Sequence, residues 1–400
     1  MNNRIWKAGW TAFAVLATRG LLALEGSLFP TLATNLNDQW EHILSGRPPH
    51  VVTLSSVVRG QPFTIHLTLG KFALKDGKAH VVADLEQVGP NGISKSIGTG
   101  LPVLKRNTDP EGVFLSDFYL KAVMDEEDPV GEYKIIARLR DCNDGSEKQL
   151  EASWKLVDAP AAYPSVELKQ AGNIMSQYYR NPRPEQLPGI LKTLLREQPE
   201  LNGKTLPMYY GCGILFQWNP QLKDELLRIA ETQTGPARTA AAYVIRCMGP
   251  ETEARIRPLL SPELFAELDK VAAIPVGVPP KIDHPTQLDQ LWTEFFTTGK
   301  VEPIRRLVGA LTPSGATMTI EEFKARKERG VSEPEDRQKL MNHLIRMAAE
   351  WSLGSNAQQH RLVAYYLEAM LARGEIKDPQ AADQVRQILR KAKLSGPAAQ

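Results

Sequence analysis

The chain of 400 residues has only three cysteines, Cys142, Cys212 and Cys247. They are far apart in the sequence, and none belongs to a CxxC pair or to a cluster of cysteine and histidine. Zinc sites need such clusters, because the metal takes several protein ligands that are held close together. The sequence therefore predicts no structural metal and no bound cofactor.

An excess of positive charge is also missing. The 48 lysine and arginine residues are offset by 46 aspartate and glutamate residues, which leaves a formal net charge of +2. A protein that binds nucleic acid by neutralising phosphates needs a surplus of basic side chains. We therefore expect no nucleic-acid partner.

Common catalytic motifs are absent as well. Neither an HExxH pair nor a GxSxG turn occurs, so we assign no catalytic, cofactor-binding or metal-binding residue. His284, His343 and His360 are isolated in the sequence, although folding could still bring the last two together. Residues 202–205 match the end of a phosphate-binding loop, but Gln198 stands where that loop needs a glycine.

No apolar run is long enough to cross a membrane, which takes ~20 nearly uninterrupted apolar residues. At the N-terminus Arg4 and Lys7 precede a shorter apolar run over residues 8–17, and Arg19 interrupts its continuation. This pattern is typical of a secretory signal. We expect residues 1–26 to form an export segment and the protein to be periplasmic or secreted. The alternative is an amphipathic helix on a cytoplasmic protein.

From residue 51 to residue 157, apolar side chains alternate with polar ones, as in strands that bury one face. Short turns rich in glycine, aspartate and asparagine separate these strands. About seven such strands predict an antiparallel β-sandwich over residues 51–158, preceded by a linker over residues 27–50. The side chains predicted to face the core are Phe63, Ile65, Leu67, Leu69, Val81, Ala83, Leu85, Tyr133, Ile135, Ala137, Leu139, Leu150, Ala152, Trp154 and Leu156.

One turn in this region carries a resemblance. Pro129-Val130-Gly131-Glu132-Tyr133 resembles the Pro-x-Gly-x-Tyr turn that leads into a late strand in immunoglobulin-like and macroglobulin-type domains of exported bacterial proteins. The resemblance implies a fold and no particular activity, because such domains serve several different functions.

After the β-rich part the apolar period changes from two to about 3.6, which is typical of helices. We predict helical regions over residues 163–273 and 286–394, separated by a Pro-rich linker over residues 274–285. The first helix of the second region should end at Gly299, because glycine is a favourable C-terminal cap. Further helices are predicted around residues 334–353, 356–373 and 379–393. The predicted fold class is multidomain, β then α: an antiparallel immunoglobulin-like β-sandwich followed by an all-α array of helical hairpins.

The helical part contains a weak internal repeat. Tyr178-Tyr179 and Phe295-Phe296 each end a helix, and each is followed by a turn and an amphipathic helix. The repeat predicts a helical-hairpin unit that is used twice, and chance similarity between amphipathic helices is the alternative.

Two further segments, LDQLWTEFFTTG over residues 288–299 and AEWSLGSNAQQH over residues 349–360, resemble a group of uncharacterised exported bacterial helical proteins. That resemblance implies no activity.

Cys212 and Cys247 lie in predicted helices that are separated by one intervening helix, so we expect them to be neighbours. In an oxidising compartment they could form a disulfide. The alternative is a pair of buried, reduced cysteines that act as small apolar side chains. Cys142, at the end of a strand, should remain unpaired.

The missing catalytic chemistry and the two-part architecture predict a non-enzymatic binding or assembly factor of the cell envelope, which presents a protein-binding surface to another envelope protein. The alternative is a hydrolase or carbohydrate-acting enzyme with a dispersed acid and base. A close carboxylate pair in a deep cleft would favour this enzyme. An acidic turn over residues 125–128 is either a solvated hairpin end or a calcium site. Six aromatic residues at helical spacing belong either to the core or to a binding groove: Trp292, Phe295, Phe296, Trp351, Tyr365 and Tyr366.

Overall fold

The computed structural model of the protein describes residues 24–33, 35–44, 49–108, 112–271, 282–312, 315–331 and 333–395. Strands predominate up to residue 157, and helices follow from residue 168. Most of the predicted export segment, residues 1–23, lies outside the described residues. So does most of the predicted Pro-rich linker, from residue 274 to residue 281.

The strands form two sheets. In chain order they are β1 (Glu25–Thr31), β2 (Ser56–Val58), β3 (Pro62–Gly70), β4 (Lys78–Val88), β5 (Ser94–Asn107), β6 (Phe114–Leu115), β7 (Leu120–Val123), β8 (Gly131–Asp141) and β9 (Glu147–Val157). In the first sheet β3 pairs antiparallel with β1, β6 and β7. The second sheet has the spatial order β2-β9-β8-β4-β5.

The predicted alternation within the long strands is confirmed. The apolar residues on one face of β3, β4 and β8 are buried, and so is the second half of that face in β9. Trp154 lies inside this core, with its ring centre 5.4 Å from that of Phe63 and 5.9 Å from that of Tyr133. The core residues of β3, β4 and β8 could therefore be recognised from the sequence.

The predicted arrangement of the strands, an antiparallel immunoglobulin-like sandwich, is wrong. The five-stranded sheet is mixed, because β2 pairs in parallel with β9, and it is curled into a half-barrel. The register between β4 and β5 shifts at three places between Val81 and Glu86, and such irregularities bend and twist a strand. Alternation identifies the buried face of a strand but not its neighbour, so it could not reveal a parallel partner from the far end of the region.

The Pro-x-Gly-x-Tyr turn has a clear steric basis. Gly131 has a φ of 147°, and a Cβ at this position would lie 2.6 Å from Cβ of Pro90 in the neighbouring turn. The hydroxyl of Tyr133 donates a hydrogen bond of 2.9 Å to the carbonyl oxygen of Pro129. Glycine is therefore needed where the two turns meet, and the tyrosine closes the turn on itself.

Two elements occupy the predicted linker over residues 27–50, and the first of them begins at Glu25, inside the predicted export segment. Strand β1 is paired along its whole length with β3, and helix α1 (Leu36–Glu41) follows it. β1 is an edge strand that contains Pro30. Proline is tolerated at a sheet edge but argues against a strand when only the sequence is seen.

The helical half contains α2 (Leu168–Ser176), α3 (Leu187–Glu197), α4 (Leu206–Trp218), α5 (Lys223–Glu231), α6 (Gly235–Cys247), α7 (Pro250–Ile256), α8 (Pro262–Lys270), α9 (Thr286–Thr298), α10 (Val301–Gly309), α11 (Ile320–Glu328), α12 (Pro334–Gln359), α13 (Arg361–Ala372) and α14 (Pro379–Ser395). Of the helices formed by described residues, none has both the length and the apolar character needed to cross a membrane.

Two hydrophobic cores fill this half. The first takes buried side chains from Val166 to Leu268, and the second takes them from Leu288 to Leu389 together with Ile43 of the N-terminal segment. Helix α4 is apolar on nearly all sides and packs against both α6 and α9. Its packing connects the first core to the second, because α9 belongs to the second core.

Candidate functional site

The N-terminal segment is fastened to the second helical core at the turn between α9 and α10. The backbone N–H of Val301, in the first turn of α10, donates to Oδ2 of Asp38 at 3.2 Å. The side-chain amide of Asn35 donates to the carbonyl oxygen of Thr298 at 2.9 Å. These contacts bring α1, the helices of the second core and the adjoining β-rich part to one place.

Gly299 lies at the centre of this junction. It ends α9 in the left-handed conformation, with a φ of 66°, as its position in the sequence predicts. A Cβ at Gly299 would contact Nε2 of Gln39 and would lie 3.2 Å from Cβ of Tyr179. The hydroxyl of Tyr366 donates to the Gly299 carbonyl at 2.7 Å. The missing side chain thus lets Gln39 and Tyr179 approach the same turn.

Aromatic side chains of the second helical core meet beside this turn. The backbone N–H of Tyr179 donates to the carbonyl oxygen of Phe296 at 2.8 Å, and the rings of Tyr179 and Phe295 are 5.0 Å apart. The two residue pairs of the weak internal repeat are therefore in direct contact. His360 joins them, with its ring 4.9 Å from Phe296 and its Nδ1 3.2 Å from the Tyr179 hydroxyl.

A cleft of about 650 Å³ opens at this cluster, and we name it the junction cleft. Its lining combines residues from α1, from the turn after α2 and from the α12–α13 junction. Among the described residues that line it there is no aspartate or glutamate. The lining consists of Gln39, Pro49, His50, Tyr179, Arg180, Gln358, Gln359, Arg361, Leu362 and Tyr365.

The described residues of the junction cleft carry positive charge and no acidic side chain. Arg180 and Arg361 are both exposed, and neither guanidinium forms an ion pair or a hydrogen bond with any residue that the structure describes. The pKa of His50 is lowered, first by burial and then by the charge of Arg180. A nearby cation disfavours the protonated form of a histidine, so the Arg180 charge acts in the same direction as burial.

Gln39 is the buried polar group of the junction cleft. Its side chain is 3% exposed, and its amide has no hydrogen-bond partner among the described parts of the chain. The arginines and this amide are therefore available to a ligand. Sequence reasoning missed all three, since nothing in their local sequence distinguishes them.

The histidines do not form a metal or catalytic cluster. His343 lies within helix α12 and His360 directly after it. A separation of 17 positions along a helix places them ~25 Å apart. His284 contacts the neighbouring Thr286 hydroxyl at 2.9 Å. Within the described ranges, no group of three or more His, Cys, Asp or Glu residues could hold a metal ion.

Residues 202–205 form a turn at the start of α4. The backbone N–H of Asn202 donates to Oγ1 of Thr205 at 3.0 Å, and that of Lys204 donates to Oδ1 of Asn202 at 2.9 Å. The turn borders an open groove of about 730 Å³ that also contains Asp289. Burial raises the pKa of Asp289. The element directly before the turn is helix α3 and not a strand. The turn therefore lacks the structural context of a phosphate-binding loop.

The acidic turn over residues 125–128 already binds a cation of the protein. Nη1 of Arg59 donates to the carbonyl oxygens of Asp125 at 2.6 Å and Glu126 at 3.1 Å. The side chains of Asp125 and Asp128 accept hydrogen bonds from backbone N–H groups of the same turn. These contacts occupy oxygens that a calcium ion would need, and they favour the solvated hairpin.

The six aromatic residues separate into three groups. Trp292, Phe295 and Tyr366 are buried in the second core, and Phe296 packs against it. Tyr365 lines the junction cleft. Trp351 is 75% exposed on α12. Helical spacing alone does not separate these groups, since it does not show which face of a helix meets a neighbour.

Burial makes His360 sensitive to acid, because it lowers the pKa of this histidine from 6.5 to about 4. The charge of Arg180 is a second cause. Between these two values the unfolded chain binds more protons than the folded protein, so stability falls as the pH decreases through this window. At pH 5 the loss from this group is about 2 kcal/mol relative to pH 7.

We therefore expect His360→Gln to remove about 2 kcal/mol of the stability difference between pH 7 and pH 5, measured by urea unfolding. His343→Gln, on the helix that precedes His360, is the matched control and should keep the wild-type difference. Equal pH sensitivity of the two variants would contradict this assignment.

Cys212 and Cys247 are buried in helices α4 and α6, which pack against each other. Both thiols are free in this structure, and the disulfide stays a prediction. Burial raises the pKa of each thiol to about 12, which suppresses the reactive thiolate at neutral pH. Cys142 is exposed.

We expect one thiol, that of Cys142, to react rapidly with Ellman's reagent in the folded protein. After denaturation in guanidinium chloride, two more thiols should react if Cys212 and Cys247 are reduced, and none if they are bridged. Rapid labelling of either buried cysteine in the folded protein, located by peptide mapping, would rule out the packing described here.

Comparisons with known proteins give no family. No family profile matches the chain, and no curated protein sequence is similar to it. A family 123 glycoside hydrolase from Clostridium perfringens aligns with 43% of this chain and 36% of its own, at 11% identity and a TM-score of 0.21. Native alpha-2-macroglobulin from Escherichia coli, from domain MG7 to the C-terminus, aligns with 94% of this chain and 63% of its own, at 10% identity and a TM-score of 0.21.

The native conformation of Escherichia coli alpha-2-macroglobulin aligns with 92% of this chain and 25% of its own, at 9% identity and a TM-score of 0.20. The chain spans less than two thirds of each of these three structures. The macroglobulin-type resemblance of the N-terminal part thus has weak structural neighbours, and no comparison supports the resemblance of the helical half. At these TM-scores the similarities indicate no shared function.

Proposed function

We propose that the protein is a non-enzymatic binding or assembly factor of the cell envelope, and that it holds a segment of another envelope protein in the junction cleft. The charge pattern and apolar run within residues 1–26 support the compartment. The observation that carries the proposal is the cleft itself. It joins segments that are distant in sequence and offers two unpaired guanidinium groups and a buried amide.

No specific observation favours the hydrolase. The junction cleft has no carboxylate among its described lining residues. Asp289 and Glu294 have raised pKa values through burial, but they are five residues apart on α9, which turns them ~140° away from each other. A general acid and base need to face one substrate.

Photo-crosslinking in the native envelope tests the proposal. A benzoylphenylalanine in place of Tyr365, which lines the junction cleft, should give one discrete protein adduct. The same residue in place of Trp351 is the matched control, because this aromatic side chain is exposed on α12 away from the cleft lining. An adduct from the Trp351 position alone, or from neither position, would contradict the proposal.

A further inference from the structure

We propose that the junction cleft recognises a carboxylate of an acidic peptide segment, through Arg180, Arg361 and the buried amide of Gln39. This inference rests on the proposed function and specifies the chemistry of the partner. The carboxylate belongs either to an Asp or Glu side chain or to a C-terminus, and the two sources can be separated by experiment.

The positive charge of the junction cleft favours an anionic ligand. Arg180 follows α2, Arg361 is the first residue of α13, and both line the same cleft without an acidic partner in the described structure. Several arginines outside the cleft are paired, for example Arg228 with Glu225 and Arg386 with Asp383. Guanidinium groups bind carboxylates with two parallel hydrogen bonds, so two unpaired ones in a cleft favour an anionic ligand.

The N-terminus of helix α13 also favours an anionic ligand. His360 precedes its first turn without a side-chain capping hydrogen bond. The first N–H groups of a helix need acceptors from outside it, and the helix dipole favours a negative charge there. Arg361 and Leu362 of this first turn both line the cleft.

Gln39 favours a ligand with a hydrogen-bond acceptor, independently of the charges. This side chain is buried and lines the cleft, yet its amide has no hydrogen-bond partner among the residues that the structure describes. Its Nε2 lies beside Gly299. A ligand oxygen would accept a hydrogen bond from this amide in place of water.

The volume and the apolar lining of the junction cleft favour a peptide over a small anion. A cleft of about 650 Å³ lies within the range of ~300–1,000 Å³ that is usual for ligand sites. Tyr179, Leu362 and Tyr365 provide aromatic and apolar surface beside the cations. Small inorganic anions do not use such surface, whereas the side chains around a peptide carboxylate do.

Calorimetric titration of the full chain with three synthetic pentapeptides tests the inference. The first has apolar residues and a free C-terminal carboxylate, the second is its C-terminal amide, and the third is an amide with one internal glutamate. We expect the first or the third to bind and the second not to bind, and the peptide that binds identifies the source of the carboxylate. Equal binding of the neutral amide, no binding of any peptide, or tighter binding of inorganic phosphate than of every peptide would overturn the inference.

Variants locate the site. Arg180→Gln and Arg361→Gln should each weaken peptide binding about tenfold or more, because each removes a charge-assisted contact. Both side chains are exposed, so their replacement leaves the fold intact. Arg337→Gln removes another exposed arginine, one on α12 outside the cleft lining, and should bind as the wild type does. Unchanged affinity in both cleft variants would overturn the inference.

The crosslink from the Tyr365 position separates this inference from the proposed function. Loss of the adduct in the Arg180→Gln/Arg361→Gln double variant supports both. An adduct that persists in the double variant overturns carboxylate recognition and leaves the proposed function standing. Absence of the adduct with wild-type arginines overturns the proposed function itself.

Discussion

Glu253→Ala should lower the free energy of unfolding by about 3 kcal/mol, because it leaves a cation unpaired in a mostly buried position. Oε1 of Glu253 lies 2.6 Å from Nη1 of Arg246, and the two side chains are only 10% and 16% exposed. A second guanidinium nitrogen of Arg246 donates to the Leu268 carbonyl at the end of α8. The pair therefore ties α6 to α7 and α8.

Urea unfolding of Glu253→Ala and of Glu251→Ala measures this effect. Glu251 lies on the same helix, α7, and is exposed, so its removal should change stability by less than ~0.5 kcal/mol. The double variant Arg246→Met/Glu253→Leu should lose less than Glu253→Ala, since it removes both charges together. Equal stability of the two alanine variants would contradict a buried ion pair.

Gly213→Ala should cost about 3 kcal/mol, because helix α4 approaches α6 too closely to accept a methyl group. A Cβ at Gly213 would contact Cβ of Cys247 and would lie 2.8 Å from the carbonyl oxygen of Val244. Backbone atoms cannot move away as a flexible side chain can. The helices would have to separate, and the core that they share would lose contacts.

The matched control is Gly172→Ala. Gly172 lies inside α2 and has open space where a Cβ would point. Alanine is the better helix former by ~1 kcal/mol, so this variant should be as stable as the wild type or more so. Chemical denaturation that ranks Gly213→Ala at or above Gly172→Ala would rule out the close approach of α4 and α6.

The sequence allowed local structure to be predicted well where one physical signal dominates. Alternating apolar residues identified the buried faces of β3, β4 and β8, and Gly299 identified the end of α9. The break predicted between helices around residues 334–353 and 356–373 is wrong in position. Helix α12 runs through Gly354 to Gln359, and Leu353 and Ala357 are buried on it. Burial outweighs the weak helix propensity of one glycine.

Long-range relations could not be predicted in the same way. Nothing in the local sequence indicates that β2 lies beside β9 in parallel, or that residues 25–31 add a strand. The junction cleft depends on the same kind of information, because Gln39, Arg180 and Arg361 are brought together only by tertiary packing. Each alone is an ordinary polar residue, and their shared position gives them a role.

Quantitative affinity capture from an envelope extract tests whether the junction cleft holds a partner. The wild-type protein, Arg180→Glu/Arg361→Glu and the control Arg337→Glu would be used as bait under identical conditions. We expect one envelope protein that the wild type and the control enrich equally and that the double variant retains about tenfold less or not at all. Retention of the same proteins by all three baits would contradict a binding site in the junction cleft.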